Sequence, residues 1–378
     1  MLKSSNWIKI ASLLAAMLLL ILLAQWSGYF KKADKGDIVI GLAWPVATKN
    51  SMLKEGVELA VDEINGQGGI NGRKIRLVVK DDEGTVTGGV TVAQSLIQIP
   101  DLVAVIGHRA SFVSIAASAI YEEAGIVMLS PASTAPSLTQ KGYQLVFRNI
   151  PSDAEIARQL ALFAARQGHR RMAIYYSEDS YGLGLANAFE DHAKNEGIKI
   201  VDRISYYADG EDLERIAKKW SALDYDSIFV AHYMPDGAIF IADAVKAGIS
   251  LPFLAGDAMD TPELYEIAGK AAEGTVVGSI FNPEVPRPET KSFIEKFSQK
   301  YNTPPTPYAA QGYDAVWLLA AAIEESGSTD PKDIAAKLRT FKERPGAAGS
   351  HTFTDNGDDV GNLVVKKVIR NGEFQFIE

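Results

Sequence analysis

The amino-acid sequence predicts an α/β protein built on parallel β-sheets. Short apolar runs of strand length recur along the chain, and a segment of helix length separates each run from the next. Strands that are apolar throughout, without polar alternation, are typical of parallel sheets covered by helices on both faces. With 378 residues and 47% hydrophobic content, the chain is long enough to bury more than one core.

The predicted elements follow in a regular order. The first strand, at 38–44, precedes a helix whose apolar stripe runs from Leu53 to Ile64 and stops at glycines. Proline marks two segments, 147–160 and 281–290, where the chain can cross between lobes. Residues 351–376 alternate polar and apolar positions around turn signals, so they predict β structure that closes the chain. The other predicted strands lie at 74–82, 102–107, 126–130, 171–177, 227–233, 252–257 and 275–281.

The N-terminus has the pattern of an export signal. Lys3 and Lys9 precede an uncharged apolar run at 10–24, which matches a secretory signal in length and flank. No small-x-small cleavage site follows, so residues 1–36 are predicted to be either a removed signal peptide or an N-terminal membrane anchor, with 8–26 as the tether. In both cases the protein is expected to be exported.

Composition excludes several classes of function. Lys and Arg total 38 against 47 Asp and Glu, giving a net charge of −9 without a long basic run, which argues against a nucleic-acid partner. There is no cysteine, so disulfides, thiolate zinc sites, thiol nucleophiles and lipid attachment through an N-terminal cysteine are excluded. The absence of cysteine leaves the redox compartment open.

Hydroxyl side chains follow two predicted strands. Ser111 stands at the start of a helix after the strand at 102–107, and Ser133 and Thr134 precede a helix start after the strand at 126–130. Ligands of open α/β sheets bind beyond the carboxyl ends of the strands, and helix N-termini there attract anions. The residues therefore predict an anion cradle, although each hydroxyl taken alone is more typical of an ordinary helix N-cap.

Longer stretches carry a family resemblance. The runs GGINGRKIRLVVKDDEG, AVIGHRASFVSIAASAIYEEAGIVMLSPASTAPSLTQKGY, RNIPSDAEIARQLALFA, YYSEDSYGLGLANAFED and AAEGTVVGSIF occur in this order. They resemble the periplasmic substrate-binding proteins of ABC transporters for branched-chain amino acids, and the similarity covers nearly everything after Asp37.

The resemblance implies a type I periplasmic binding fold, with two doubly wound parallel-sheet lobes joined by three crossings. Lobe 1 would comprise 37–149 and 282–352, and lobe 2 would comprise 150–281 and 353–378. The implied function is a periplasmic solute-binding protein that closes on an amino acid or related polar solute and delivers it to an ABC permease. A membrane-anchored sensor module of the same fold is the alternative, since fold alone does not settle function.

Carried over to this chain, the family's carboxylate site falls on Ser111, Ser133 and Thr134. The acidic residue that receives the α-ammonium falls on Asp257, where the amino-acid binders that this chain most resembles carry glutamate. Asp257 can instead cap the helix that follows, although Asp260 is nearer to that start. Opposite ends of a zwitterion would then be bound by different lobes, which gives the differential affinity that ligand-driven closure requires.

Tyr181 and Tyr233 match aromatic residues that the second lobe contributes in this family. Tyr181 can instead fill the core, but Gly182 and Gly184 beside it indicate a backbone kept thin for close approach. Tyr233 is equally consistent with a ligand contact and with a contact between lobes.

Trp44 and Arg109 depart from the family pattern. Trp44 either walls the side-chain pocket or covers the sheet edge. Arg109 either binds a second carboxylate or phosphate in the cleft or, as the more usual alternative, points outward and pairs with Glu122 or Glu123. If Arg109 points inward, an anionic solute is favoured over leucine.

No enzyme motif is present in the sequence. The first strand and helix lack G-x-G-x-x-G, G-x-S-x-G is absent, and the five histidines show no metal-binding spacing, so His108 is expected to be a hydrogen-bonded loop histidine. We therefore expect a protein that is not an enzyme and that has no cofactor and no metal.

Overall fold

A computed structural model describes residues 36–47, 51–361 and 364–377. The predicted signal or anchor at 1–36 lies almost wholly outside these ranges, and residues 362–363 lie outside them too. Within the described ranges, no helix is both long enough and apolar enough to cross a membrane.

Five parallel strands form the first sheet, in the order β2-β1-β3-β4-β5. Every residue of the three inner strands β1, β3 and β4 is buried, as expected for a sheet covered on both faces. The strands are β1 (Ile38–Ala43), β2 (Ile75–Lys80), β3 (Leu102–Gly107), β4 (Val127–Ser130) and β5 (Val146–Arg148).

Seven strands form the second sheet, in the order β14-β13-β10-β9-β8-β6-β7. The first five strands along the chain are parallel, and the last two add as an antiparallel hairpin at the edge. The predicted closing β structure is thereby confirmed. The strands are β6 (Arg171–Tyr176), β7 (Lys199–Ile204), β8 (Ser227–Ala231), β9 (Phe253–Ala255), β10 (Val276–Ser279), β13 (Val365–Arg370) and β14 (Glu373–Phe376); β11 (Arg344–Pro345) and β12 (Ser350–His351) pair separately.

Helices cover both sheets. Those after β1 to β3 are α1 (Leu53–Gly66), α2 (Val86–Leu96) and α3 (Ser111–Ala124), and those of the second sheet are α4 (Asp153–Arg166), α5 (Gly182–Asn195), α6 (Gly210–Ala222), α7 (Asp236–Lys246) and α8 (Glu263–Ala268). The last three, α9 (Pro288–Tyr301), α10 (Pro307–Ser326) and α11 (Pro331–Arg339), return to the first sheet, where their buried residues share a core with β1 and α1.

Each sheet with its helices is called a lobe below. The chain passes from the first lobe to the second after Arg148 and returns after Ser279. Phe353 packs in the first core against Phe147, with ring centroids 5.8 Å apart, and Asp358 bonds Arg148. Residues up to Asp358 therefore pack with the first lobe, and Val364 packs in the core of the second.

Both sheets follow the same winding order, which fixes where a ligand site can form. In the first sheet the order reverses between β1 and β3, and in the second it reverses between β6 and β8. At such a switch point the loops diverge and leave a crevice at the carboxyl ends of the strands. Trp44 follows β1 and Arg109 follows β3, whereas Tyr181 follows β6 and Tyr233 follows β8.

Candidate functional site

The predicted anion cradle begins at the N-terminus of α3. Ser111 is the first residue of this helix and is 1% exposed, and its Oγ accepts a hydrogen bond from the Ala135 amide at 3.2 Å. This bond ties the start of α3 to the loop after β4. In that loop, Thr134 is fully buried and its hydroxyl has no hydrogen-bond partner among the described residues. The hydroxyl therefore stands beside the positive end of a helix dipole and close to the Asp153 carboxyl, whose pKa it lowers against the larger effect of burial.

The Ser133 hydroxyl does not point freely into the anion cradle that the sequence predicts. Its Oγ lies 2.6 Å from Ser114 Oγ and 3.2 Å from the carbonyl oxygen of His108. The hydroxyl is thus occupied by the protein itself and joins the loops after β3 and β4. We expect Ser133 to position the cradle and not to contact a ligand.

Two buried side chains, His108 and Arg148, hold the loops that form the cradle through hydrogen bonds. His108 is fully buried, with Nδ1 2.6 Å from Asp82 Oδ2 and Nε2 3.2 Å from the Tyr121 hydroxyl, so it is a hydrogen-bonded loop histidine as predicted. Arg148 is also fully buried and donates to Asp358 at 2.7 Å and to the carbonyl oxygens of Ser133 and Ala135 at 2.8 Å. The Thr134 backbone is therefore held on both sides.

Asp257 lies on the second-lobe wall, in a short 3-10 turn after β9. Its Oδ1 accepts a hydrogen bond from the Tyr181 hydroxyl at 3.1 Å, and that hydroxyl accepts one from the Ala258 amide at 3.3 Å. Burial raises the pKa of Asp257 to about 6, although the bond from Tyr181 opposes this. Asp257 does not cap α8, because Thr261 Oγ1 accepts from the Glu263 amide and Asp260 forms an ion pair with Lys367.

Aromatic side chains line the gap between the lobes. Tyr181 is 2% exposed, and its ring centroid is 4.7 Å from that of Tyr233. Tyr233 in turn meets Phe112 of α3 edge-on at 6.5 Å, and its hydroxyl is buried without a partner among the residues described. Phe112 and Tyr233 thus form a contact between the lobes, one of the two alternatives that the sequence left open for Tyr233.

Two glycines on the second-lobe wall allow close packing that a side chain would block. A Cβ at Gly256 would lie 2.7 Å from the Tyr181 hydroxyl, and one at Gly182 would lie 2.1 Å from Ser177 Oγ. Both distances are far below any normal contact, so side chains there would displace Tyr181 or its loop.

Arg109 points into the gap and not toward the surface acids. Its guanidinium carbon lies 5.9 Å from the ring centroid of Tyr308, at the start of α10. Glu122, one of the two expected surface partners, instead accepts hydrogen bonds at 2.9 Å from the amides of Gln144 and Leu145. The outward interpretation of Arg109 is therefore wrong, because the loop at 144–145 uses that carboxylate.

Trp44 lies beside the same tyrosine. It is 2% exposed, its indole Nε1 donates to Ser51 Oγ at 3.2 Å, and its ring meets Tyr308 edge-on at 5.8 Å. Trp44, Tyr308 and Arg109 thus form one group on the first-lobe wall.

Asp153 is a further candidate residue that the sequence motifs did not single out. It is fully buried at the start of α4, and neither carboxylate oxygen has a hydrogen-bond partner among the described residues. Burial, with the charge of Asp257 as the next cause, raises the pKa of Asp153 well above its ordinary value. In the segment 147–160 the sequence marked only a crossing between lobes, although the acid that follows Pro151 and Ser152 and precedes an apolar helix could have indicated a buried carboxyl.

The walls of the gap differ in charge. The first lobe contributes Arg109 and the N-terminus of α3, whereas Asp153 and Asp257 lie at the start and the body of the second lobe. Four of the eleven described residues that have a buried polar side-chain atom without a hydrogen-bond partner lie here: Arg109, Thr134, Asp153 and Tyr233. Buried polar groups are normally hydrogen-bonded, so this cluster indicates a site for a small dipolar molecule.

An open cavity of about 620 Å³ lies elsewhere, on the first lobe between α1, α9 and α10. Its lining includes Tyr313, Trp317 and His351. His351 is fully buried between Asp314 and Asp359, which raise its pKa to about 10 against the effect of burial. His351 and these two carboxylates satisfy one another, so the gap between the lobes is the better candidate.

Comparisons with known proteins agree with this architecture. A family model described as periplasmic binding protein matches residues 39–367. The chain is 28% identical to the leucine-, isoleucine-, valine-, threonine- and alanine-binding protein of Pseudomonas aeruginosa, over 93% of each chain. It is 30% identical to the Leu/Ile/Val-binding protein of Escherichia coli K12, over 86% of this chain and 87% of that one.

A solved structure of a related protein has the same fold. The ABC transporter substrate-binding protein of Desulfitobacterium hafniense, in complex with Leu, is 51% identical, with a TM-score of 0.83 over 90% of this chain and all of that one. The fold is accordingly the type I periplasmic binding fold that the sequence resemblance implied. With the matching family model and these relatives, the chain belongs to the periplasmic binding protein family.

Proposed function

We propose that this protein is an extracytoplasmic solute-binding component of an ABC importer that binds an α-amino acid between its lobes. Its ligand carboxylate would be held by Ser111 and Thr134 at the start of α3, and its ammonium by Asp257 with Asp153. Trp44, Tyr181 and Tyr233 would enclose the ligand, and Ser133 would position the cradle. The names of the relatives support the amino-acid class.

One observation carries this proposal: a helix N-terminus of the first lobe and a carboxyl of the second lobe stand at the same gap. The first lobe offers Ser111 and Thr134 at the start of α3, and the second offers Asp257, whose charge acts on Tyr308 of the first lobe. A zwitterion could satisfy both only when the lobes are together, which supports closure driven by the ligand. Delivery to a membrane permease follows from the family and is part of the proposal.

The decisive variant is Asp257→Ala. Removing one partner of a buried charge pair costs about 2 to 5 kcal/mol, so the dissociation constant for the bound amino acid should rise by roughly 30-fold or more. Isothermal titration calorimetry with a panel of amino acids measures this directly.

Asp191→Ala is the matched control, because Asp191 is an exposed acid on α5 of the same lobe. It should leave the dissociation constant unchanged. Equal affinity of the Asp257→Ala variant and the unaltered protein would remove Asp257 from the site and with it the proposed bridging of the lobes.

A further inference from the structure

The side-chain end of the proposed ligand pocket carries a positive charge that the protein does not neutralise. No ion pair joins Arg109 to any residue in the described part of the chain, and its Nε atom is buried without a hydrogen-bond partner there. The guanidinium faces the ring of Tyr308 and lies close enough to oppose the rise that burial causes in the pKa of that tyrosine. Arg109 is therefore positioned by the ring and the hydroxyl of Tyr308, and its Nε remains an unused donor.

The surroundings of Arg109 are aromatic, although Arg109 itself is partly exposed. Trp44 is nearly fully buried against Tyr308, and Phe112, three residues after Arg109, meets Tyr233 of the other lobe. An aliphatic ligand side chain in this place would remove water from the guanidinium and return no hydrogen bond, which is costly for a charged group. A carboxylate would accept two parallel N–H bonds from the guanidinium.

The ligand's α-carboxylate does not need Arg109. The start of α3 already offers Ser111 and the free hydroxyl of Thr134, next to the helix dipole. Arg109 precedes that helix and turns toward Trp44 and Tyr308, so it is available for a second anionic group.

We infer that Arg109 selects an α-amino acid whose side chain ends in a carboxylate. The relatives are named for amino acids with uncharged side chains, so this chain would differ from them in substrate class. The inference rests on the proposed function, because it assumes that the α-carboxylate and the ammonium bind as described there.

Calorimetry with L-glutamate, L-glutamine and L-leucine tests the inference. L-glutamine has the shape of glutamate without the side-chain charge, so the unaltered protein should bind glutamate at least tenfold more tightly than either of the others. In Arg109→Leu, the ratio of the glutamate constant to the leucine constant should change by at least 100-fold in favour of leucine. Arg109→Lys, which keeps the charge and loses the planar fork, should retain a reduced preference for glutamate.

Arg215→Leu is the matched control, because Arg215 is an exposed arginine on α6, and it should leave the ratio unchanged. Circular dichroism and thermal unfolding establish that each variant is folded. A tighter constant for leucine than for glutamate in the unaltered protein, with binding still lost in Asp257→Ala, would overturn this inference alone.

Two other results are equally decisive. Equal losses for glutamate and leucine in Arg109→Leu would assign Arg109 to the α-carboxylate and overturn its role in selection. Absence of binding by every amino acid would overturn the proposed function and this inference together.

Discussion

Asp153 shows how a single buried side chain can serve binding at the expense of stability. Its carboxyl is fully buried with no partner for either oxygen in the described structure, and burial is the main reason that its pKa is raised. A group whose pKa is higher in the folded state stabilises the fold at low pH, and this contribution is lost as the pH rises through the folded value. At neutral pH such a carboxyl lowers the stability of the folded protein unless a bound ligand pairs with it.

We therefore expect Asp153→Asn to separate the two properties. The amide has nearly the same shape without the charge, so the free energy of unfolding of the ligand-free protein should stay equal or rise, and the gain should grow from pH 5 to pH 8. The dissociation constant for the amino acid should increase at least tenfold. Urea unfolding at several pH values and calorimetry measure the two effects. A clear loss of stability with unchanged affinity would make Asp153 a structural residue.

The sequence predicted some residues of the site better than others. Asp257 and Tyr181 lie in the second lobe and share a hydrogen bond, which their motifs did not predict, and their contacts with a ligand stay predictions. Ser133 and Arg109 do not follow the simplest interpretation, because the direction of a side chain depends on neighbours far along the chain. The Ser133 hydroxyl is occupied by the loop after β3, and Tyr308, almost 200 residues later, holds Arg109.

One buried arginine fixes the conformation of the loop after β4. Arg148, at the end of β5, bonds two carbonyl oxygens of the Thr134 loop and also Thr139 Oγ1 at 2.9 Å. It reaches Asp358 near the end of the chain. The element that presents Thr134 is therefore fixed by a side chain from the neighbouring strand.

Replacing this arginine should affect both stability and binding. Arg148→Met leaves Asp358 without its cation and two buried carbonyl oxygens without donors, so unfolding should become easier by about 3 to 5 kcal/mol. Affinity should fall too, because the Thr134 loop loses its support. Arg171→Met is the control: Arg171 bonds the Leu223 carbonyl in the second lobe, so this change should lower stability and leave affinity unaltered. Equal affinities in the Arg148 variant and the unaltered protein would contradict the role of this brace.

Most strands were predictable because their apolar runs are continuous. Two strands, β5 and β7, have no such run and were not predicted. β5 has only three residues, too few for a periodic signal, and β7 is an edge strand with charged residues at Asp202 and Arg203. β5 forms by pairing with β4, and β7 forms by pairing with β6. Such pairing depends on tertiary structure, so the local sequence does not predict it.

At the scale of the whole molecule, binding should depend on pH through the second lobe. The ammonium of the ligand needs an ionised Asp257, whose pKa in the ligand-free protein is about 6. Affinity should hold between pH 7 and pH 8 and then fall below pH 6, approaching tenfold per pH unit for one linked proton. Calorimetry over this range measures the profile, and Asp257→Asn should bind weakly with a flatter profile. A constant affinity from pH 5 to pH 8 in the unaltered protein would contradict the charge pairing.

The interleaving of the two lobes constrains how the chain can acquire its shape. The core of the first lobe combines β1 with α9, α10 and Phe353, whereas the sheet of the second lobe needs strands from β6 through to β14. Contacts of such long sequence separation form slowly. Neither half can be completed while the chain is still emerging from a ribosome or a translocation channel, so almost the entire polypeptide must be released before either half is finished. A protein shortened by its final hairpin would keep the intact first core and lose the edge of the other sheet.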